Sequence, residues 1–194
     1  YYAYNPSQSA CNADPQVLRK FDELIAAGRK LVAVAGSDAH ALPARIGPLR
    51  RTLFPFEFHF RTVNMHLLLP RPLGDDSTLD AALIYDALRQ GHCFIGYDLP
   101  ASTRGFRLTV HAKDKIGTMG DEFSVQGGIT LQIRLPKRAE CIVLKDGIPV
   151  KTFFNRELCT YITAEPGIYR VEAYMHYKGR RRGWIYSNPV YIKG

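Results

Sequence analysis

Cysteine is sparse in this chain: Cys11, Cys93, Cys141 and Cys159 lie far apart and no two form a CxxC pair. That spacing argues against a zinc finger or a thioredoxin-type motif and suits free thiols in a reducing compartment, so a cytoplasmic location is expected. A bridge between Cys141 and Cys159, which fall in neighbouring predicted strands, stays open. Long apolar runs are also missing. No stretch is apolar enough to span a bilayer, and no charged-then-apolar signal segment opens the chain, although a cleaved mature N-terminus is left open. Basic runs are equally rare: only Arg180, Arg181 and Arg182 are consecutive, and beside Gly179 and Gly183 they read as a solvated hairpin turn. A dedicated nucleic-acid arm is therefore not expected. No histidine precedes His40.

What is present is an ordinary globular composition of 194 residues, 46% hydrophobic and 23% charged, with a net charge of +8. A basic balance of that size suits nucleic acid, anionic lipid or a phosphorylated substrate; with no basic arm and no membrane segment, a small-molecule or phosphorylated substrate is expected, and homo-oligomerisation is left open. The most informative stretch is Leu31 to His40, LVAVAGSDAH. A short apolar run with β-branched residues reads as a strand buried on both faces, so a loop begins at Gly36, at the strand end where α/β folds place chemistry. Residues two apart in extended chain point the same way, so Asp38 and His40 present a carboxylate and an imidazole to one point. Both are ligands for a divalent metal, with zinc, manganese and iron all compatible. The alternative is an ordinary Ser-Asp helix cap beside a surface histidine.

Around that stretch the pattern is mixed. Asp14 and Pro15 start a helix that runs to Ala27, with Val17, Leu18, Phe21, Leu24 and Ile25 on one face and Gly28 closing it. Tyr1 to Ala13 is polar and irregular. The prolines at 43, 48 and 55 break any long element between Ala41 and Arg61, and a loop of that size is more often functional than idle. Arg45, Arg50 and Arg51 within it are candidate substrate-binding residues, because guanidinium matches phosphate with paired donors. His59 and His66 read as packed histidines. A strand follows over Thr62 to Leu69, then a helix from Ser77 with a Ser77/Asp80 capping box, then a short strand at Cys93 to Gly96. His92 and Asp98 at this junction read as structural.

From Gly105 onward the apolar period becomes two. Phe106, Leu108 and Val110 alternate with polar residues, as do Ile129, Leu131 and Ile133, and Asp146-Gly147 marks a hairpin. Seven or eight short strands with regular turns predict an immunoglobulin-like antiparallel β-sandwich. Its aromatics, Tyr169, Tyr174, Tyr177, Trp184, Tyr186 and Tyr191, are either packing residues or a platform for a sugar or protein partner.

GSDAHA, preceded by LIAAGRK and followed by LRQGHCFIG, resembles the C-terminal part of the polymerase and histidinol phosphatase (PHP) family of metal-dependent hydrolases, in its carbaryl-hydrolase-like branch. The resemblance covers nearly all of the chain. It implies the end of a distorted (β/α)7 barrel over residues 1–103 and a β-sandwich accessory domain over 104–194. It also implies that Asp38 and His40 are the last two ligands of a cluster of up to three metals. The family's cluster begins with a His-x-His pair on the first strand, which has no counterpart before Leu31, so the chain reads as the C-terminal part of a longer protein. The function expected is a fragment of a metal-dependent hydrolase, a phosphoesterase or a carbamate or amide hydrolase acting through metal-activated water. With too few ligands for a closed site, the isolated chain is expected to be inactive. The alternative is a non-catalytic binding module in which the sandwich does the work on a remnant αβ scaffold.

Overall fold

The computed structural model describes residues 12–113 and 115–194; the polar start of the chain and Cys11 lie outside them. Helix α1 spans Pro15–Ala26, capped by the Asp14 carboxylate, which accepts the Gln16 amide at 2.7 Å. An extended segment leads to a hairpin of β1 (Leu42–Ile46) and β2 (Leu49–Leu53), then to the short helix α2 (Phe56–Phe60). Strand β3 (Val63–Leu67), helix α3 (Ser77–Gln90) and strand β4 (Cys93–Tyr97) follow. The remainder is all strand: β5 (Arg107–His111), β6 (Ile116–Gly117), β7 (Glu122–Ser124), β8 (Ile129–Lys145), β9 (Ile148–Thr163), β10 (Gly167–Tyr177), β11 (Arg180–Ser187) and β12 (Val190–Lys193).

These elements correct the expected fold class. The described residues are 47% strand and 17% helix, with three helices and one curled ten-stranded sheet among them, so they contain no (β/α)7 barrel part. Nor do the strands divide into an α/β unit and a separate sandwich. The sheet runs β3-β4-β11-β10-β8-β5-β6, with β9 added to β8 and β12 joining β10 to β7. The physical reason is the pairing of β3 with β4 and of β4 with β11, both antiparallel. A barrel segment would need those strands parallel and joined by crossover helices. Strand β8 holds the curl together. Its first half pairs with β5, its second half with β10, and β9 follows it along both halves across register shifts between Arg134 and Cys141.

The buried strand expected at Leu31 to Ala35 is also absent. This stretch is extended but belongs to no ladder, and Val34 is 65% exposed. Its backbone is held by side chains instead: Asn188 Oδ1 accepts the Ala33 amide at 2.7 Å, Asn188 Nδ2 donates to the Ala33 carbonyl at 3.1 Å, and Met65 Sδ accepts the Ala35 amide at 3.3 Å. Other local expectations shift by a residue or two. The cap of α3 is Asp76, whose carboxylate accepts the Thr78 and Leu79 amides, while Asp80 turns back to the Gly74 amide. The turn before β11 is Lys178-Gly179, both at positive φ, so Arg180 to Arg182 lie in the strand and Arg182 is buried. Asp146-Gly147 makes the β8–β9 turn, both residues at positive φ as a two-residue hairpin requires.

The core fills the inside of the curl. Phe94, Phe106, Leu108 and Val110 pack with Leu131 and Ile133 of β8 and with Tyr169, Val171, Ala173, Trp184 and Ile185 of β10 and β11 in one apolar cluster. Trp184 is fully buried and donates through Nε1 to the Ala101 carbonyl at 2.7 Å. Tyr169, Trp184 and Tyr186 are buried and serve as packing, whereas Tyr174, Tyr177 and Tyr191 are half-buried. Cys93, Cys141 and Cys159 are buried free thiols.

Helix α1 docks on the outer side of this sheet by charge. Asp22 is buried, and its two carboxylate oxygens each accept from Arg170 at 2.6 Å. Arg170 also donates to Glu172 at 2.5 Å, and the Tyr174 hydroxyl donates to the same carboxylate. By contrast Val17, expected on the buried face, is 64% exposed. Removing the guanidinium would leave two buried carboxylates without their counter-charge. Arg170→Met should therefore destabilise the protein by about 3–5 kcal/mol. Chemical denaturation with α1 followed by hydrogen exchange would measure it, and a loss below about 1 kcal/mol would show that the cluster is not what holds the helix.

Candidate functional site

Asp38 and His40 lie in the irregular segment between Ala35 and β1. Asp38 has φ 47°, a left-handed conformation that aspartate tolerates better than most residues. His40 Nδ1 lies 2.8 Å from the Asp38 main-chain oxygen and 3.4 Å from Asp38 Oδ1. A carbonyl only accepts, so Nδ1 carries the proton and Nε2 of the neutral ring keeps its lone pair. His59 is held in the same manner, its Nδ1 donating to the Ser37 carbonyl at 2.9 Å while its ring packs against Phe54 and Phe58. Two imidazoles are thus held through Nδ1 by adjacent main-chain carbonyls, those of Ser37 and Asp38.

The donor types suit a divalent ion, but the set is open. Side chains of Asp38 and His40 are exposed, and among the described residues no three His, Cys, Asp or Glu groups converge on one point. A catalytic zinc site takes three protein ligands, and Asp38 and His40 supply two side chains of ligating type, so they do not close one.

Two residues beyond His40 the chain enters the β1–β2 hairpin, which gathers the three predicted arginines. Arg45 is the cross-strand partner of Arg50, and Arg51 is opposite Ala44. Together they line a shallow cavity of about 330 Å³. Like charges directly opposite one another are unfavourable in a sheet, and here both arginines are exposed to solvent, which screens them.

A second cluster, built from residues whose sequence context reads as packing, lies where β3 and β4 meet the 98–103 turn. Asp98 accepts from Asn64 Nδ2 at 2.7 Å, from the Thr103 amide at 2.6 Å and from the Thr103 hydroxyl at 2.8 Å. His66 Nε2 is 2.8 Å from the Thr103 hydroxyl and 3.5 Å from Asp98, and its ring stacks on Phe94 with centroids 4.6 Å apart. Burial opposes the ionised Asp98 carboxylate, but hydrogen bonds from His66, Thr103 and Asn64 outweigh it and hold the carboxyl well below the usual range. The trio looks like a nucleophile, base and acid. It is not one: Thr103 is fully buried, so its hydroxyl reaches no substrate. What it does is clamp the turn that carries the chain from β4 into β5.

His92 and Asp121 form a third pair, 3.1 Å apart, with the other Asp121 oxygen accepting the Thr118 amide. It ties the end of α3 to the loop before β7. The His92–Asp121 and His66–Thr103 partners are 29 and 37 residues apart, so no local pattern marked them, while Asp98 and Thr103 are only 5 apart.

Neither a family model, nor a curated protein, nor a solved structure matches the chain.

The Asp98 cluster makes stability depend on pH in one direction. An unfolded aspartate titrates near about 3.9 and the folded one lower, so the contribution is complete above about pH 5 and is lost as pH falls through the folded value. The urea midpoint should drop between about pH 6 and pH 3. Asp98→Asn should start about 1–3 kcal/mol lower at neutral pH and drop less on acidification. Parallel curves for the two proteins would exclude this role.

Proposed function

We infer that this chain contributes to a divalent-metal-dependent hydrolase site, with Asp38 and His40 as two of its metal donors and the Arg45, Arg50 and Arg51 hairpin as the holder of an anionic, phosphate-type group. The observation that carries this reading is the exposed Asp38–His40 pair. A carboxylate and an imidazole two residues apart are both exposed, and the ring is held through Nδ1 on the Asp38 carbonyl, which leaves Nε2 for a ligand. A divalent ion, when bound there, supplies Lewis acidity toward water and toward the scissile group.

The chain's own residues have simpler tasks. The Asn188 and Met65 contacts hold the segment before the pair, so the two donors are presented at a defined place beside β3 and β4. The hairpin brings its guanidiniums within a few residues of His40, where bidentate donors can orient a phosphoryl or carboxyl oxygen. Apolar side chains around the segment, including Val17, Val32, Val34 and Ile95, border an open cavity of about 420 Å³ that would exclude water once covered. A second reading is favoured by the openness of the donor set: a non-catalytic binding module, in which Asp38 has no metal to hold.

Manganese titration followed by NMR separates the two. Under the hydrolase reading, Mn²⁺ broadens the signals of residues 36–40 first, and Asp38→Ala or His40→Ala abolishes that selectivity. Because two donors bind weakly, the chain alone should show no measurable turnover of an aryl phosphate with added Zn²⁺ or Mn²⁺. Broadening that ignores residues 36–40, or that survives Asp38→Ala, would overturn the assignment.

A further inference from the structure

The strongest unassigned feature lies at the opposite part of the chain, where β5 begins against the middle of β8. Arg107 and Arg134 are directly opposite one another in the β5–β8 ladder. Two like charges in that position destabilise a sheet unless something negative lies between them. Among the described residues nothing does so: no carboxylate there forms an ion pair with Arg104, Arg107 or Arg134.

The three arginines share one concave space. Arg104, Arg107 and Arg134 line a cavity of about 570 Å³ floored by Gly105, Leu135 and Pro136. The acid on its wall is Glu157, and that carboxylate faces Arg138 at 3.9 Å. Arg107 is pre-positioned, with Nη1 donating to the Phe106 carbonyl at 2.8 Å, which holds part of the guanidinium and leaves its remaining donors for a ligand. A second cavity of about 670 Å³ adjoins the first through Arg104, Gly105 and Arg107, and adds Arg71 and the edge of His66. Its walls are largely apolar, from Leu67, Leu69, Phe94 and Leu108.

We propose that this double cleft binds a small molecule carrying a phosphate-type oxyanion, the anion lying between Arg107 and Arg134 under Arg104 and the apolar body of the ligand extending toward His66 and Phe94. Each guanidinium supplies planar paired donors matched to two oxygens of such a group. The cavity volumes fall in the range of small-ligand sites and its mixture of apolar wall and few charged groups is their usual make-up. The site is separate from the Arg45–Arg50 hairpin and does not depend on metal at Asp38.

The test uses the whole chain, with inorganic pyrophosphate as the probe at constant ionic strength, followed by calorimetry and by thermal unfolding. Wild-type protein should bind one pyrophosphate saturably. Arg107→Gln and Arg134→Gln should each weaken binding by about tenfold or more, whereas Arg45→Gln and Arg50→Gln should leave it unchanged. Arg134→Gln should also raise the melting temperature in anion-free, low-salt buffer, because it removes the like-charge pair, and that advantage should vanish when pyrophosphate is added to both proteins. The melting curves report at the same time that the variants are folded. Failure to saturate, equal loss in Arg45→Gln, or binding indifferent to Arg107→Gln and Arg134→Gln would overturn the proposal. So would a short single-stranded oligonucleotide that binds the same arginines far more tightly than pyrophosphate, since that would assign the cleft to a nucleic-acid backbone.

Discussion

Three charged side chains buried on the face of β10 determine how the parts of this molecule meet. Arg170 is 3% exposed and Glu172 6%, and Asp22 reaches them from α1, far away in sequence. Burying any one of these charges alone would be costly, so the three are stable there only as a set, with the Tyr174 hydroxyl completing the Glu172 carboxylate. Burial of the guanidinium works against its charge, but the hydrogen bond to Asp22 and the field of both carboxylates outweigh it. Bidentate geometry gives the contact a single orientation, where an apolar contact would tolerate sliding. The segment that carries Asp38 and His40 follows α1 in the chain and is held in turn by Asn188 and Met65.

A similar concentration of roles appears in β8, one strand that serves three neighbours. Because β5 and β10 occupy different halves of its length, the sheet must curl between Arg134 and Cys141, and the register shifts there provide the bend. Curling encloses a core that includes Trp184 and Phe106. It also sets the inside of the bend beside the start of β5, which brings Arg104, Arg107 and Arg134 around one cleft. The Arg107–Arg134 opposition itself comes from the β5–β8 register.

Both candidate sites combine arginine pairs across a ladder with an opening beside them, but they differ in foundation. The Arg45–Arg50 hairpin is a two-stranded sheet of its own, whereas the Arg107–Arg134 pair belongs to the ten-stranded sheet. A small isolated hairpin is marginal by itself, while the larger sheet is backed by a full apolar core. The second site is therefore the more rigid of the two, and a rigid site loses less entropy on binding.

Local signals in the sequence determined the local structure. Asp14-Pro15 and Gly28 bounded α1, Gly91 ended α3 in the left-handed conformation, Asp146-Gly147 made its hairpin, and the period-two pattern after Gly105 became strands. Those features depend on a few neighbouring residues, so they can be read without knowing the rest of the chain. Asp38 and His40 were legible only as a candidate pair by their spacing, and among the described residues no third metal-ligating side chain joins them. What the tertiary structure decided was everything that joins distant segments. Leu31 to Ala35 has the composition of a buried strand, but a strand exists only where a partner offers its edge, and here Asn188 and Met65 took that place. The antiparallel pairing of β4 with β11 made one curled sheet where periodicity suggested two units. The Asp22–Arg170 contact, the His66–Asp98–Thr103 clamp and the Arg107–Arg134 opposition all depend on register between strands or on docking of a helix, which no local pattern encodes.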